Sequence, residues 1–172
     1  ESNFFYNKLL TEVVFKYPTP SFPRAAAWFS AGGCTCSYVY SSTEWEPLPF
    51  PKWMMQLANL VADKCGEPFV HNSCNATLYP DGQSKCGMHK DNEAIFGSHH
   101  TNKSILSVSF GATRTFQIQL ASNRPYKTQI NHGDVVGMQG LCQSFYRNGV
   151  PDEEPISEGH QCRINLTFRH MR

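Results

Sequence analysis

The segment from residue 163 to residue 169, close to the C-terminus, alternates without a break between polar and apolar side chains. Period-two alternation is typical of a β-strand with one buried face, so the segment predicts a strand packed against a core. The apolar face holds Ile164, Leu166 and Phe168, and the polar face holds Arg163, Asn165, Thr167 and Arg169. An ordinary surface strand has the same pattern. Two arginines with an asparagine between them also form a cradle for a dicarboxylate, because the guanidinium fork suits carboxylate oxygens.

A second pattern lies between residues 86 and 93, where His89 and Asp91 are separated by one residue. In an extended chain, residues two apart point to the same side, so this imidazole and carboxylate are placed to bind one metal ion. A 2-His-1-carboxylate site for non-haem iron needs a third ligand from elsewhere in the chain. A solvated turn with two polar residues is the alternative interpretation of this tripeptide alone.

Length and composition limit the possible protein classes. The chain has 172 residues, 40% of them hydrophobic, which predicts one domain over 1–172 with a sizeable core. No apolar run reaches the roughly 20 residues of a membrane-spanning helix. The net charge of +1 neither favours nor excludes nucleic acid, so a polyanion would be bound through a local patch. The seven cysteines include no C-x-x-C pair, which favours free thiols in a reducing compartment, the nucleus or the cytoplasm.

Periodicity and the positions of Pro and Gly predict at least six short strands and two helices, near residues 3–15 and 51–65. This order indicates a mostly β architecture, an antiparallel sandwich with the N-terminal helices on one side. The strands 104–110 and 115–120 are separated by four residues, which predicts a β-hairpin. Arg114, in that connection, is expected to be a solvated surface residue.

Four blocks of sequence follow one another in order: Tyr79-Pro80-Asp81-Gly82, residues 87–93, residues 104–112 and residues 163–169. Together they resemble the AlkB family of iron and 2-oxoglutarate dioxygenases, over roughly residues 20 to 172. The resemblance implies a double-stranded β-helix, or jelly roll, whose open end holds the metal. It also implies Fe(II), 2-oxoglutarate and O2, with 2-oxoglutarate decarboxylation coupled to methyl hydroxylation and formaldehyde release.

The resemblance also assigns residues to roles. The implied metal ligands are His89 and Asp91, which are also the implied catalytic residues. The implied cosubstrate cradle consists of Tyr79, Thr77, Arg163, Asn165 and Arg169. The implied substrate-binding residues are Arg24, Trp28, Phe29, Tyr38, Asn92 and Glu93. Residues 1–50 are expected to form an N-terminal helix and a substrate-recognition lid.

Alternatives stay open for several of these residues. Residues 23–30 are either the lid over the substrate or a core strand with a buried Trp28. Tyr38 either stacks on an extruded base or packs in the interior. His99 and His100 are adjacent, and neighbouring side chains point apart in an extended chain, so we expect a solvated loop there rather than a metal pair.

One position departs from the family pattern. The distal metal histidine of the family lies in a segment resembling aromatic-x-His-x-Val-Pro, which here is filled by residues 146–151 with Asn148 in the place of the histidine. An amide oxygen is a neutral, weaker donor than imidazole, so iron affinity should fall. His160 is the nearest later histidine but does not match the motif. A deliberate replacement of a ligand would give the same residue as a natural change.

The resemblance to the AlkB family implies an oxidative demethylase of N-alkylated bases in DNA or RNA. Single strands are the favoured substrate, because extruding a base from a duplex costs free energy. A catalytically inactive nucleic-acid-binding module on the same fold is the first alternative, and a protein hydroxylase is the second. We expect a monomer.

Overall fold

The computed structural model describes residues 1–40, 42–97, 104–154 and 162–171, with the backbone alone described at Tyr40. The helices are α1 (Ser2–Glu12), α2 (Lys52–Lys64) and α3 (Cys142–Phe145), and a 3-10 turn covers Ala94–Phe96. The first six strands are β1 (Ala25–Ser30), β2 (Tyr38–Tyr40), β3 (Thr43–Trp45), β4 (Leu48–Pro49), β5 (Ser73–Tyr79) and β6 (Cys86–His89). The other six are β7 (Ile105–Gly111), β8 (Arg114–Leu120), β9 (Tyr126–Ile130), β10 (Val135–Met138), β11 (Tyr146–Val150) and β12 (Arg163–Arg169).

The strands form two main sheets and one small ribbon. The larger sheet has the order β10-β7-β12-β5-β1-β4, the smaller has the order β6-β11-β8-β9, and β2 pairs with β3. Pairing is antiparallel except between β1 and β4. The predicted mostly β architecture with N-terminal helices is therefore confirmed, and α3 is a further short helix that periodicity did not predict. Within the described ranges, every helix is too short or too polar to cross a membrane.

Strand β12 lies inside the larger sheet, paired with β5 on one edge and with β7 on the other. Its apolar residues Ile164, Leu166 and Phe168 are at most 1% exposed and pack in one cluster with side chains of α1 and α2. Burying a side chain of this size contributes about 1.5–3 kcal/mol. The two helices therefore cover one face of the larger sheet, and the polar row of β12 lies on its other face.

Helix α2 follows the signals in its sequence. Pro51 immediately precedes it, and a proline ring is compatible with the start of a helix because the first N–H groups need no intrahelical partner. Trp53, Leu57 and Val61 are buried on one side of the helix, at intervals of four residues. Gly66 follows the helix at a φ of 66°, a conformation that glycine adopts without strain.

The predicted hairpin between residues 104–110 and 115–120 is wrong. Strands β7 and β8 belong to different sheets, so residues 111–114 carry the chain from one sheet to the other. Gly111 has a φ of 88°, and a Cβ atom there would lie 2.2 Å from the carbonyl oxygen of Cys162. A short loop with turn-forming residues predicts a change of direction, but the partner of the next strand depends on packing elsewhere.

Residues 25–30 form a core strand, which was one of the two interpretations of this segment. Phe29 is 4% exposed and lies in the helix-covered cluster. Trp28 is 1% exposed and packs on the other side, against Tyr38 at 4.6 Å between ring centroids and against Phe96 at 6.2 Å. Its indole Nε1 donates a hydrogen bond to the carbonyl oxygen of Cys36. The lid interpretation is therefore wrong for Trp28 and Phe29, because both aromatic side chains are enclosed by protein.

The expectation of free thiols throughout is also corrected. Cys34 and Cys36 form a disulfide with a Cα–Cα distance of 5.4 Å. The described cysteines that remain free are Cys65, Cys74, Cys86, Cys142 and Cys162. Spacing rules for disulfides and zinc sites rest on longer intervals, so a C-x-C pair closed by its own loop gave no signal in the sequence.

Replacing Trp28 with alanine is expected to lower the free energy of unfolding by about 3–5 kcal/mol, because a large buried aromatic side chain would leave a cavity. Urea denaturation followed by circular dichroism measures this change. Tyr126→Ala is the matched control, because this tyrosine is 68% exposed and its removal should change stability little. Equal effects of the two substitutions would contradict the assignment of Trp28 to the core.

Candidate functional site

A pocket lies between the two main sheets. Strands β5, β7, β10 and β12 of the larger sheet line one side, and β6, β8 and β11 of the smaller sheet line the other. The residues predicted for the site that line it are Tyr38, Thr77, Tyr79, His89, Asp91, Glu93, Asn148, Arg163, Asn165 and Arg169. Residues from distant parts of the chain are therefore brought to one cavity.

The histidine and aspartate of the H-x-D tripeptide meet in this pocket. His89 Nε2 lies 3.8 Å from Asp91 Oδ2, and His89 Nδ1 lies 2.8 Å from the carbonyl oxygen of Gly87. A metal would bind the neutral ring, in the tautomer that donates Nδ1–H to this carbonyl and leaves the Nε2 lone pair on the side of Asp91. Burial alone would lower the pKa of His89, but Cys86 and Asp91 raise it to about 9.

Asn148 lies beside these two residues, on β11. It is the register partner of His89 across β6 and β11, it is 7% exposed, and its Nδ2 donates a hydrogen bond of 3.1 Å to Asp91 Oδ2. In the described part of the chain, no three His, Cys, Asp or Glu side chains are grouped so that they could hold a metal. His99, His100 and His160 lie outside the described residues.

Arg169 joins Asp91 to the substrate side of the pocket. Its Nη1 lies 3.4 Å from Asp91 Oδ1 and 3.4 Å from Glu93 Oε2. Tyr38 donates its hydroxyl proton to Glu93 Oε1 at 2.6 Å, and its ring is 2% exposed. Burial by itself would lower the pKa of Arg169, but Tyr38, Asp91 and Glu93 raise it. The guanidinium also packs over the ring of Phe96, at 4.2 Å from its centroid.

Arg163 lies at another part of the pocket, and it is 4% exposed. Its Nη2 donates to Ser109 Oγ at 2.9 Å and to Asn165 Oδ1 at 2.7 Å, and the guanidinium lies 5.0 Å from the centroid of Tyr79. Its Nε and Nη1 atoms are buried without a hydrogen-bond partner. Burial lowers the pKa of Arg163. Thr77 is the register partner of Asn165, so it completes this group on β5.

Arg114, expected at the surface, is 1% exposed. Its guanidinium donates to the backbone carbonyl oxygens of Asp81, Gly82, Ser84 and Pro151. Its Nε also lies 3.2 Å from Glu153 Oε1. It thereby connects the loop before β6 to the segment after β11, the two strands that carry His89 and Asn148. The signal that could have found it is the alternation of Arg114, Phe116 and Ile118, which places the arginine on the inner face of β8.

Gln143 is a further residue that sequence reasoning missed. It lies in α3, is 3% exposed, and its Oε1 accepts the backbone N–H of Asp91 at 2.8 Å. Its Nε2 lies 3.3 Å from Met138 Sδ. Lys90 Nζ also donates to the carbonyl oxygen of Ser144, in the same short helix. Helix α3 therefore holds the backbone that follows β6, and the sequence carries no motif that predicts this contact.

Four of the predicted substrate residues do not line the pocket. Trp28 and Phe29 are core residues, as described above. Arg24 is buried, donates to the carbonyl oxygen of Lys85 and packs over the ring of Phe22 at 5.0 Å. Asn92 is exposed beside the H-x-D segment.

The expected metal fits the residues in part. His89 and Asp91 are the donor types of a non-haem iron site, and Asn148 offers one neutral oxygen where a second imidazole is expected. The expected 2-oxoglutarate fits well, because its distal carboxylate would satisfy the buried Nε and Nη1 of Arg163. Tyr79 and Asn165 border the same place.

Comparison with known proteins gives a consistent result. Residues 12–169 match the family described as the 2OG-Fe(II) oxygenase superfamily. The rat and human proteins named alpha-ketoglutarate-dependent dioxygenase alkB homolog 3 are both 32% identical over 160 residues, which is 86% of this chain and 50% and 51% of those proteins. Bovine DNA oxidative demethylase ALKBH2 is 27% identical over 160 residues, 88% of this chain and 54% of that protein. This chain thus spans about half the length of the curated relatives it matches.

The fold has a counterpart among solved structures. The structure of OsALKBH1 superposes with a TM-score of 0.71 at 16% identity, covering 98% of this chain and 90% of that one. At this identity the likeness concerns the fold, and it confirms the predicted jelly roll.

Replacing Arg163 with alanine is expected to weaken 2-oxoglutarate binding by about 2–5 kcal/mol, because the carboxylate would lose its buried charge partner. Isothermal titration calorimetry should therefore record a rise in Kd of roughly 30-fold or more. Arg147→Ala is the matched control, since this arginine is exposed on β11. An unchanged Kd in Arg163→Ala would refute the cradle assignment.

Gln143→Ala is expected to leave the Asp91 N–H without its partner, at a cost of about 1–3 kcal/mol in the free energy of unfolding. Amide hydrogen exchange gives a local readout, because the Asp91 amide should lose protection before the strands do. The control is Gln56→Ala, an exposed position in α2. Full protection of Asp91 in Gln143→Ala would mean that α3 does not hold this backbone.

Proposed function

This chain belongs to the 2OG-Fe(II) oxygenase superfamily, and from that premise we propose that it is an oxidative demethylase of N-alkylated bases in DNA or RNA. The family is one of dioxygenases that use Fe(II), 2-oxoglutarate and O2, and the AlkB resemblance of the sequence is confirmed by the relatives it matches. The observation that carries the proposal is the single pocket that holds His89, Asp91 and the unpartnered guanidinium atoms of Arg163.

Different residues of this chain have different roles in the proposed reaction. When bound, iron with 2-oxoglutarate and O2 supplies the oxidant for the methyl group. His89 and Asp91 hold the metal, Arg163 orients the cosubstrate through its distal carboxylate, and Asn165 fixes the guanidinium by accepting from Nη2.

The substrate side of the pocket is formed by Glu93 and the groups that hold it. Its side chain is 34% exposed, and Tyr38 and Arg169 fix its carboxylate. A fixed, partly exposed carboxylate is an acceptor for the exocyclic amine of an extruded base. We assign Tyr38 to holding Glu93 rather than to stacking, because its ring packs against Trp28 and Phe96. Asn92 is exposed next to Glu93 and is available to the flanking nucleotide.

The nucleic-acid substrate is supported by a relative, since bovine ALKBH2 is named a DNA oxidative demethylase. Single strands are favoured because no unpairing is needed. We also propose a monomer in the nucleus or cytoplasm, because five of the described cysteines remain free, as is usual in a reducing compartment. Light scattering and imaging of a tagged full-length protein test these two points, and a stable dimer or a secreted protein would contradict them.

A second candidate function is a catalytically inactive nucleic-acid-binding module. The hydrogen bond from Asn148 to Asp91 favours it, because the amide engages a carboxylate that the metal needs. The two candidates differ in turnover and not in fold.

Formaldehyde release from methylated single-stranded DNA and RNA, with Fe(II) and 2-oxoglutarate, separates the two. Asn148→His is expected to turn over at least about tenfold faster than the unsubstituted chain, because imidazole is the stronger donor to Fe(II). His89→Ala in either background measures the level without the metal site. If neither form releases formaldehyde while both bind the oligonucleotides, the binding module is the correct function.

A further inference from the structure

Both carboxylate oxygens of Asp91 are already engaged by the protein. Oδ2 accepts from Asn148 Nδ2 at 3.1 Å, and Oδ1 lies 3.4 Å from Arg169 Nη1. Asp91 is 7% exposed, so these two groups, together with His89 Nε2 at 3.8 Å from Oδ2, are the environment of its charge. A carboxylate oxygen has two lone pairs, so a divalent cation can still bind Oδ2, but it would then lie beside the amide N–H, whose partial positive charge repels it.

The amide is held in that position by the sheet. Asn148 pairs with His89 on one side and with Ile118 on the other, because β11 lies between β6 and β8. The following Gly149 has no room for a side chain, since a Cβ atom there would lie 2.9 Å from Cys86 O and 2.9 Å from Met88 Sδ. The backbone at Asn148 is therefore enclosed, and from this position its side chain reaches Asp91.

Arg163, unlike Asp91, keeps polar atoms that no group among the described residues engages. Its guanidinium is buried, its Nε and Nη1 have no partner, and in the described part of the chain no Asp or Glu forms an ion pair with it. A buried cation without a counter-ion is costly, so an anion that enters the pocket is stabilised beside this guanidinium. At the Arg163 end, the pocket has a positive charge without a counter-ion among the described residues. At the Asp91 end, the carboxylate is already paired with protein groups.

We propose that this chain binds 2-oxoglutarate largely independently of a divalent metal. The distal carboxylate on Arg163 supplies most of the affinity, and chelation of a cation through the keto end contributes little. This inference rests on the cosubstrate assignment within the proposed function, but it does not depend on the nucleic-acid substrate.

The same difference between the Arg163 end and the Asp91 end of the pocket predicts how the affinities of two dicarboxylates compare. Succinate has the distal carboxylate of 2-oxoglutarate and lacks the keto group. If chelation contributes little, the two dicarboxylates should have similar affinities for this chain. Where a metal anchors the keto group, 2-oxoglutarate should bind more tightly than succinate.

Isothermal titration calorimetry under anaerobic conditions tests the proposal with the chain as it is. We expect the Kd of 2-oxoglutarate to change by less than about threefold between buffer with EDTA and buffer with Mn(II), and succinate to bind within about threefold of 2-oxoglutarate in both. A Kd that falls about tenfold or more with Mn(II), or no binding in EDTA, would overturn the proposal.

Asn148→His is the matched comparison, because it removes the amide donor and adds an imidazole at the same backbone position. Its 2-oxoglutarate affinity is expected to rise about tenfold or more with Mn(II), and its succinate affinity to rise less. Equal metal dependence in both forms would refute the role given to Asn148. Circular dichroism confirms folding, and if the variant does not fold, the titrations of the unsubstituted chain decide alone. Failure of formaldehyde release with metal-independent binding retained would refute the demethylase and leave this inference standing.

Discussion

The structure depends on the pairing of β12 with strands on both of its edges. Because β5 and β7 both hydrogen-bond to it, β12 cannot turn about its own axis. Its apolar side chains therefore stay on the core side of the sheet and its polar side chains stay on the pocket side. Ile164, Leu166 and Phe168 join the cluster under α1 and α2, which stabilises the sheet. The same pairing fixes Arg163 and Arg169 on the pocket side, six residues apart. The stability of the core and the spacing of the two guanidinium groups therefore have one cause.

The smaller sheet carries His89 and Asn148, on the proposed metal side of the pocket, and buried polar contacts hold it in place. Arg114 joins the loop before β6 to the segment after β11 through carbonyl groups, so the strands of His89 and Asn148 are tied at one end. Gln143 holds the backbone of Asp91 from α3. Hydrogen bonds of this kind are short-range and directional, which suits residues that must keep a donor set within tenths of an ångström. A charged arginine was needed because a neutral side chain could not satisfy so many carbonyl oxygens.

The two arginines of β12 have different electrostatic surroundings. Arg169 is compensated by Asp91 and Glu93, although its Nε has no hydrogen-bond partner, whereas Arg163 has no carboxylate partner among the described residues and leaves both Nε and Nη1 without a hydrogen bond. The pocket is consequently prepared for an anion at one end and internally neutralised at the other. Asn148 strengthens this difference, since its amide donates to the carboxylate that a cation would bind. Binding of the cosubstrate and binding of the metal, which act together at a site with two imidazoles, are separable here.

The sequence by itself determined the elements whose pattern is local. Alternation in residues 163–169, the H-x-D spacing and the four AlkB-like blocks predicted the mostly β fold, which is confirmed. They also selected His89, Asp91, Asn148 and the two arginines of β12 as candidates, and all of these line one pocket. Local patterns could not give the partners of strands, so the 104–120 hairpin was wrong, and they could not distinguish a lid from a core strand at Trp28. Arg114 and Gln143 had no motif, because their roles are contacts with backbone groups that are distant in sequence. Only the tertiary structure decided which polar residues meet, since that depends on how two sheets are packed and not on the spacing within any one strand.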